Sequence, residues 1–367
     1  MSANHLKHPK LAKPTFQQYG RHEIGILGAP CSIIESLSQQ IYDRLNSRYQ
    51  IAYIDADHGS GDTSSVMPIY KDMISYHRYD HNRRLNSWEQ KQALRTIDLA
   101  IVNSNHFDAK SQLVIVHPDK EESLKRKIDR LTDVKAILMM EGVDTPYEFI
   151  YDHVTRSCPV INLTDVDAIA SLVTDTIEVP SIMGLVLAGG KSSRMGTDKS
   201  QIKYHNDLTQ EEHMAAQVSG CASEVYLSKR SAQDIADHII VDSFAELGPF
   251  GAILSAFRSD PNVAWLVAAC DQPLLREEHL KMIVEQRDPS KVATCFYNPE
   301  TDFPEPLITL WEPKAYPIML QYLALGNSCP RKVLINSDIN MIRVSDTSFM
   351  RNVNTPEERK LVEKELA

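Results

Sequence analysis

Two glycines and three cations follow an apolar segment in the middle of the chain. Residues 182–188 are largely apolar and predict a buried parallel strand. Backbone amides approach a ligand closely at glycine, and amides and cations beyond the carboxyl end of a strand form an anion site. We therefore predict a nucleoside triphosphate as the ligand. The residues concerned are Leu187, Ala188, Gly189, Gly190, Lys191, Arg194 and Lys199.

The spacing within this loop excludes two common phosphate loops. Gly190 and Gly196 are separated by five residues, and Thr197-Asp198 follows. The ATPase P-loop has a shorter spacing and a lysine directly after its second glycine. The dinucleotide motif Gly-x-Gly-x-x-Gly is also absent. An ordinary glycine-rich turn with solvated charges is the alternative, but three cations at this spacing favour a phosphate site.

Residues 187–199, Leu-Ala-Gly-Gly-Lys-Ser-Ser-Arg-Met-Gly-Thr-Asp-Lys, resemble the signature loop of nucleotidyltransferases that activate sugars and cofactors. The loop is similar above all to that of the molybdenum cofactor guanylyltransferases. This resemblance implies a Rossmann-like nucleotidyltransferase fold for residues 181–367. It also implies catalytic roles for Arg194 and Lys199, with the remaining loop residues around the nucleotide.

A second apolar strand, predicted at residues 263–269, ends at Cys270-Asp271-Gln272-Pro273. An aspartate at the carboxyl end of a buried strand facing a triphosphate is a candidate Mg²⁺ ligand. The resembling family has its metal aspartate in a matching Cys-Asp-x-Pro segment, which implies a catalytic and metal-binding role for Asp271. The alternative is an aspartate that caps the next turn.

Residues 242–251 resemble the guanylyltransferase segment that ends in Gly-Pro-Leu-x-Gly. Asp242 is our candidate for guanine recognition, because a carboxylate can accept from N1–H and from the exocyclic amine together. Gly248-Pro249 also predicts a helix amino terminus here, and the two interpretations are compatible. Ser228 stands near the position where the family tends to have an asparagine, so that family contact is changed.

Three later motifs extend the resemblance almost to the end of the chain. They are Pro-Glu-Pro-Leu at 304–307, Tyr-Leu-Ala-Leu-Gly at 322–326, and Asn-Val-Asn-Thr-Pro-Glu-Glu at 352–358. The resemblance makes Arg331, Lys332 and Asn354 candidates for binding the second substrate, which would be molybdopterin.

The preceding half of the chain alternates strands and helices, which predicts a second, mostly parallel α/β sheet flanked by helices. We predict strands at 23–28, 50–54, 99–102, 112–116, 136–140 and 159–162, and helices at 31–45 and 165–175. Residues 1–20 are predicted to form a flexible tail, 21–178 the first domain and 181–367 the second.

The first half resembles a P-loop domain, in particular the guanine-nucleotide-binding adaptor that often accompanies these guanylyltransferases. Residues 49–58, Tyr-Gln-Ile-Ala-Tyr-Ile-Asp-Ala-Asp-His, resemble the second strand of that adaptor. Where the adaptor has Gly-Lys-Thr, this chain has Ile33-Ile34-Glu35. We therefore predict a degenerate domain that keeps the fold and has lost nucleotide hydrolysis and binding.

Four histidines and three aspartates in this half could bind a metal, but their spacing fits no common ligand pattern. Turn or surface positions explain them as well. The segment 76–84 mixes aromatic residues and cations; a solvated loop is favoured over contact with an anionic pterin or a protein partner. The histidines and aspartates are His58, His77, His81, His106, Asp55, Asp57 and Asp80.

Composition bounds the remaining possibilities. The net charge of −10 argues against a broad nucleic-acid surface. The six cysteines form no Cys-x-x-Cys pair. No apolar run is long enough for a membrane helix, and the first residues lack the apolar core of a signal peptide. A cytoplasmic location is the expectation.

The combined prediction is a Mg²⁺-dependent enzyme that transfers GMP from GTP to molybdopterin and releases pyrophosphate, with docking to molybdoenzymes as a possible further property. Two alternatives stay open. One is a cytidylyltransferase that uses CTP on the same acceptor, although such relatives tend to have Leu-Ala-Ala-Gly where this chain has Leu187-Ala188-Gly189-Gly190. The other is a non-catalytic protein that binds or delivers the cofactor.

Overall fold

The computed structural model describes residues 11–56, 68–81, 83–189, 198–205, 207–231 and 237–366. They form two compact units. One unit comprises residues 16–178, and the other begins at Val179 and includes residues 11–15. Each unit contains a parallel or mostly parallel sheet with helices packed on it, which confirms the predicted α/β class.

The amino-terminal unit is built on a six-stranded sheet in the order β2-β5-β1-β6-β7-β8, with every neighbouring pair parallel. Strands β3 and β4 form a separate antiparallel pair. The elements are β1 (His22–Leu27), α1 (Cys31–Leu45), β2 (Ile51–Ile54), β3 (Ile69–Asp72), β4 (His77–Asp80), α2 (Ser87–Ala93), β5 (Leu99–Asn103), β6 (Ser111–Val116), α3 (Glu121–Lys125), β7 (Val134–Met139), β8 (Val160–Asn162) and α4 (Val166–Asp175).

The three central strands β5, β1 and β6 are almost completely buried, which explains why they consist of near-continuous apolar runs. The apolar stripe of α1, including Ile34 and Ile41, packs with α4 residues such as Ile169 in a single core cluster against the sheet. Gly28 follows β1 with φ of +96°. A Cβ atom there would lie 2.2 Å from the carbonyl oxygen of Ile115, so only glycine fits this turn.

Part of the segment 76–84 forms a strand, whereas its sequence favours a solvated loop. Residues His77–Asp80 form β4 of the hairpin and pair with β3. The side chains are exposed as expected, but Tyr70 and His77 stack across the pair, and Tyr70 Oη lies 2.9 Å from His77 Nδ1. Cross-strand aromatic pairs of this kind stabilise a hairpin without a buried face.

The described part of the predicted tail makes specific contacts. Tyr19 is 2% exposed and contacts Phe107 edge-on. Asn262 Nδ2 donates to the backbone carbonyl of Lys13 at 3.0 Å, and the Thr15 amide donates to Asn262 Oδ1 at 2.5 Å. These contacts fix residues 13–19 to neighbouring structure.

The carboxy-terminal unit is built on a seven-stranded sheet in the order β11-β10-β9-β12-β14-β13-β15. Strand β14 is antiparallel to both of its neighbours, whereas the other pairs of this sheet are parallel. The elements are β9 (Ile182–Leu187), α5 (Gln210–Ser219), β10 (Val225–Lys229), β11 (Ile239–Val241), α6 (Pro249–Ser259), β12 (Ala264–Ala269), α7 (Glu277–Glu285), β13 (Ala293–Asn298), β14 (Phe303–Trp311), α8 (Ala315–Ala324), α9 (Pro330–Ile335), β15 (Asn340–Ile342) and α10 (Pro356–Leu366).

The core of this unit lies on both faces of β9 and β12. Helix α6 is nearly all buried, and its Phe250 and Phe257 pack with Trp265 of β12 on one face. Leu266 of β12 packs with Met214 of α5 on the other face. Among the residues described, no helix is both long and apolar enough to cross a membrane.

Candidate active site

A cavity of about 580 Å³ lies at the carboxyl ends of β9, β10 and β12. Because these three strands are parallel neighbours, the residues that follow them meet at one edge of the sheet. The lining residues are Leu187, Ala188, Gly189, Asp198, Lys199, Ser200, Ser228, Arg230, Asp242, Ala245, Glu246, Gly248, Pro249, Ala252, Ala269, Cys270, Asp271, Leu307 and Asn354.

Asp271 lies in this wall directly after β12 and Cys270. Its Oδ1 atom is buried and has no hydrogen-bond partner among the described residues. Burial raises the pKa of the Asp271 carboxyl, and the positive charge of Lys199 partly opposes that rise. A withdrawn carboxylate oxygen that lacks a donor is chemically suited to a hard cation such as Mg²⁺.

Lys199 is fixed by its neighbours on both sides. The Oδ1 atom of Asp198 accepts from the Ser200 amide and hydroxyl at 3.0 Å each, which caps the short 3₁₀ turn of residues Lys199–Gln201. Lys199 Nζ donates to Asn354 Oδ1 at 2.6 Å. The lysine therefore lies on the wall of the cavity, joined to a residue near the end of the chain.

The segment that carries Asn354 is held at the site from two directions. The Val353 amide donates to the backbone carbonyl of Asp271 at 2.7 Å. The Asn354 and Thr355 amides donate to Glu358 Oε2 at 2.6 Å and 3.0 Å, and the Glu358 amide returns a bond to Thr355 Oγ1. This capping box starts α10 and sets the position of Asn354 relative to Lys199.

Asp242 also lies on the cavity wall, directly after β11. The Ser228 hydroxyl donates to its Oδ1 atom at 2.8 Å. Burial raises the pKa of Asp242, while the Ser228 hydrogen bond and the charge of Arg230 lower it in part. Ser228 thus orients the carboxylate predicted to bind guanine.

The amino terminus of α6 forms the adjoining wall. The helix begins at Pro249, as the Gly248-Pro249 pair predicts, and ends at Ser259. Gly248 precedes it with φ of +57°, and Glu246 adopts φ of +63°. A non-glycine residue in the left-handed region is strained, and such strain is concentrated at binding sites. The structure thus contains the helix start predicted at Gly248-Pro249, and Asp242 lines the cavity beside it.

Several predicted site residues lie elsewhere. Arg331 of α9 is absent from the cavity wall; its charge acts on Glu305, and its Nε atom is buried without a partner among the described residues. Lys332 contacts Asn327 at 3.4 Å on the surface. Gly190, Lys191 and Arg194 lie outside the described residues.

Glu305 of β14 is a buried acid that the sequence reasoning passed over, although it stands inside the Pro-Glu-Pro-Leu motif. Glu305 is 3% exposed, and burial raises its pKa. Hydrogen bonds donated by the Asn298 side chain and the Leu307 amide oppose this rise. The negative charge of Asp271 also raises the pKa of Glu305, so this second buried acid lies near the acid of the cavity wall.

The amino-terminal histidines form no metal centre within the part of the chain that the structure describes. No group of three or more His, Cys, Asp or Glu side chains there is arranged to hold a metal ion. His77 and His81 lie on or beside the exposed hairpin, and His106 follows β5. His58 and Asp57 lie outside the described residues.

An acid after β12 and a lysine beyond β9 line one cavity at the carboxyl edge of a Rossmann-like sheet, where such folds bind nucleotides. Residues 184–339 match the family described as "MobA-like NTP transferase domain". The chain belongs to this family.

Two curated relatives agree with this assignment. The "Probable molybdenum cofactor guanylyltransferase" of Carboxydothermus hydrogenoformans is 31% identical over 180 residues, which are 47% of this chain and 89% of that protein. The "Molybdenum cofactor biosynthesis bifunctional protein" of Synechocystis sp. is 32% identical over 189 residues, which are 50% of this chain and 54% of that protein. The chain thus spans about half the length of the second relative.

Among solved structures, "Molybdopterin-guanine dinucleotide biosynthesis protein A" from Archaeoglobus fulgidus is 21% identical to this chain. The match covers 50% of this chain and 97% of that one, with a TM-score of 0.43.

Proposed function

We propose that this protein transfers GMP from GTP to molybdopterin and releases pyrophosphate, in a reaction that requires Mg²⁺. A role in nucleotidyl transfer for molybdenum cofactor biosynthesis accords with the family and with the names of the curated relatives. The observation that carries the proposal is the wall formed by Asp271, Lys199 and Asn354, where a buried acid oxygen lies beside a fixed cation.

In this reaction an oxygen of the terminal phosphate of molybdopterin attacks the α-phosphorus of GTP. The new P–O bond forms as the bond between the α-phosphorus and the bridging oxygen breaks, and pyrophosphate leaves. A phosphate monoester has a second pKa of about 6, so the nucleophile is largely ionised at neutral pH and needs no general base. Catalysis then depends on positioning and on compensation of negative charge.

Asp271 would hold the Mg²⁺ ion, which when bound supplies positive charge to the phosphate oxygens. The unpartnered Oδ1 atom fits this role because a charged oxygen withdrawn from water otherwise lacks compensation. Lys199 neutralises further phosphate charge, and its bond to Asn354 keeps its ammonium on the cavity wall. Lys191 and Arg194 are proposed to complete the triphosphate site.

The two ends of the cavity would divide the substrates. Asp242, oriented by Ser228, would accept from the guanine base. Asn354, whose side chain accepts from Lys199, would contact the second substrate. Arg331 and Lys332, which line no part of the cavity, would bind the acceptor only at its periphery.

The deciding experiment measures pyrophosphate release from GTP and from CTP with molybdopterin and Mg²⁺. We expect release from GTP, and a fall of about 100-fold or more in Asp271→Ala and in Lys199→Ala, the scale of one removed electrostatic group. Asp167→Ala is the matched control, because Asp167 is an exposed acid of the other unit whose side chain is 86% exposed.

Each other result has a defined meaning. Release from CTP in place of GTP would reassign the protein to cytidylyl transfer. If neither nucleotide reacts, a rise in melting temperature with GTP and Mg²⁺ would indicate an enzyme with a different acceptor. No rise would indicate a protein that binds or delivers the cofactor without reacting. Near-normal turnover of Asp271→Ala would refute the role given to that carboxylate.

A further inference from the structure

A cysteine, a histidine and an aspartate from separate segments meet at the carboxyl edge of the amino-terminal sheet. Strands β2, β5 and β1 are neighbours in that order, and all run parallel. Asp55 follows β2, His106 follows β5, and Cys31 follows β1 as the first residue of α1. The fold thus assembles side chains that lie far apart in the sequence.

We propose that Cys31 is a nucleophilic thiol, assisted by His106, that forms a mixed disulfide with a small anionic disulfide. The Cys31 Sγ atom lies 3.2 Å from His106 Nε2. This is within reach for proton transfer between a nucleophile and its base. The site lies where the related adaptor would hold phosphate, and it is separate from the proposed transferase cavity in both residues and chemistry.

Asp55 supports the histidine electrostatically. Its Oδ1 atom lies 3.9 Å from His106 Nε2, the nitrogen that also faces the sulfur, so the carboxylate stabilises the imidazolium that proton transfer creates. Burial tends to raise the pKa of Asp55, but hydrogen bonds from Asn103 and Tyr53 outweigh it and hold the pKa below its ordinary value. Asn103 Nδ2 donates to both carboxylate oxygens at 2.9 and 3.0 Å.

The surroundings of the sulfur favour an anionic reagent. Cys31 is the first residue of a 15-residue helix, whose first-turn amides carry partial positive charge. The charge of Lys127 acts on Cys31, and Lys127 Nζ is held by Asn105 Oδ1 at 2.8 Å. The side chains of His106 and Asp55 are 21% and 25% exposed, so solvent reaches the group.

The proposed step conserves atoms and electrons. The Cys31 sulfur attacks one sulfur of the disulfide, so one S–S bond forms and the other breaks. The thiol proton passes to His106 Nε2 and then to the departing thiolate, which leaves as a free thiol. The Cys31 sulfur shares an electron pair in the new S–S bond, and the departing sulfur leaves with the pair of the broken bond, so the number of disulfides is unchanged. The other half of the reagent is retained on the protein as the mixed disulfide.

The test is time-resolved peptide mass analysis of the full chain exposed to oxidised glutathione. We expect Cys31 to be modified roughly tenfold or more faster than Cys158 and Cys221, two partly exposed thiols whose pKa is raised by burial. The mixed disulfide should be absent at this position in Cys31→Ser. His106→Asn should slow the modification roughly tenfold in protein whose circular dichroism is unchanged.

Cystamine, a cationic disulfide, tests the charge of the reagent. We expect Lys127→Ala to slow the reaction with oxidised glutathione and to leave that with cystamine unchanged or faster. The proposal is overturned if Cys31 reacts no faster than Cys158 and Cys221, or if folded His106→Asn reacts at the normal rate. If Lys127→Ala changes the rates of reaction with the two reagents equally, the inference that the reagent is anionic is wrong. Pyrophosphate release is a separate readout and does not enter this test.

Discussion

At the scale of single residues, the acid proposed to hold Mg²⁺ opposes folding. Asp271 Oδ1 is buried without a hydrogen-bond donor among the described residues, and burial raises the pKa of this carboxyl. A charged oxygen withdrawn from water in this way costs free energy that nearby Lys199 offsets only in part. The proposed metal-binding position therefore carries an acid at the expense of stability, a relation common at active sites.

This reasoning predicts that Asp271→Asn stabilises the protein when Mg²⁺ is absent. We expect the free energy of unfolding at neutral pH to rise by about 1 kcal/mol or more, because the amide removes an uncompensated charge. The folded protein, with the raised pKa, holds the Asp271 proton more tightly than the unfolded chain. Stability of the wild type should therefore increase as pH falls through that pKa, and the advantage of the variant should shrink.

Urea unfolding at several pH values, with a chelator present, measures this effect. Asp167→Asn serves as the exposed control and should leave the free energy of unfolding nearly unchanged. If Asp271→Asn is less stable than the wild type at neutral pH, the prediction is wrong. A further interaction would then stabilise the charged carboxylate in the folded protein.

Residues that directly follow strands could be located from the sequence. Asp242 and Asp271 lie on the cavity wall, because a motif that follows a parallel strand has only one edge to occupy. Lys199 and Asn354 line the same cavity, and the roles given to all four stay predictions. Arg331 does not reach the wall. It lies on a helix, where the direction of a long side chain depends on packing that spacing does not encode.

At the scale of elements, the ends of helices decide the geometry of the site. Helix α10 starts with a capping box in which Glu358 accepts from the Asn354 and Thr355 amides. Asn354 in turn accepts from Lys199. A local feature of a terminal helix therefore determines where a cation lies in the cavity.

We predict that Glu358→Ala weakens catalysis more than stability. Loss of the cap should lower the free energy of unfolding by about 1 kcal/mol. Turnover should fall further than this loss of folded protein explains, since Asn354 and hence Lys199 lose their fixed positions. Pyrophosphate release measured alongside urea unfolding checks this, with Glu357→Ala, an exposed neighbour in the same turn, as the control. Equal turnover in the two variants would contradict the argument.

Elements with strong periodicity were predictable, and exposed ones were not. The bounds predicted for α1 match the structure, because its apolar positions recur at helical spacing. The hairpin of β3 and β4 was missed since its side chains are exposed and carry no alternation of apolar and polar residues. The antiparallel course of β14 also required the structure, since strand direction leaves no mark in its apolar pattern.

At the scale of the whole molecule, each unit has its own buried core. Ile34 belongs to a cluster formed only by residues of the amino-terminal unit, and Trp265 to a cluster of the carboxy-terminal unit. The two clusters share no residue, so one core can stay packed when the other is disrupted. Two cores on one chain make two unfolding transitions the natural expectation.

Calorimetry of Ile34→Ala tests this expectation. Ile34 is fully buried, so its truncation should lower the stability of the amino-terminal unit by about 2–5 kcal/mol. One transition should move to lower temperature while the other stays in place and still rises with GTP and Mg²⁺. A single transition that shifts as a whole would show that the two units unfold together.

The bond from the Val353 amide to the Asp271 carbonyl has a consequence for biosynthesis. Strands β9 and β12 emerge from the ribosome well before the segment that carries Val353 and Asn354. A nascent chain can therefore bring β9 and β12 together, with much of the pocket wall, before Asn354 has emerged to accept from Lys199. The site is completed only when translation reaches this segment, so an incomplete chain has a nucleotide-sized hollow without the arrangement proposed for transfer.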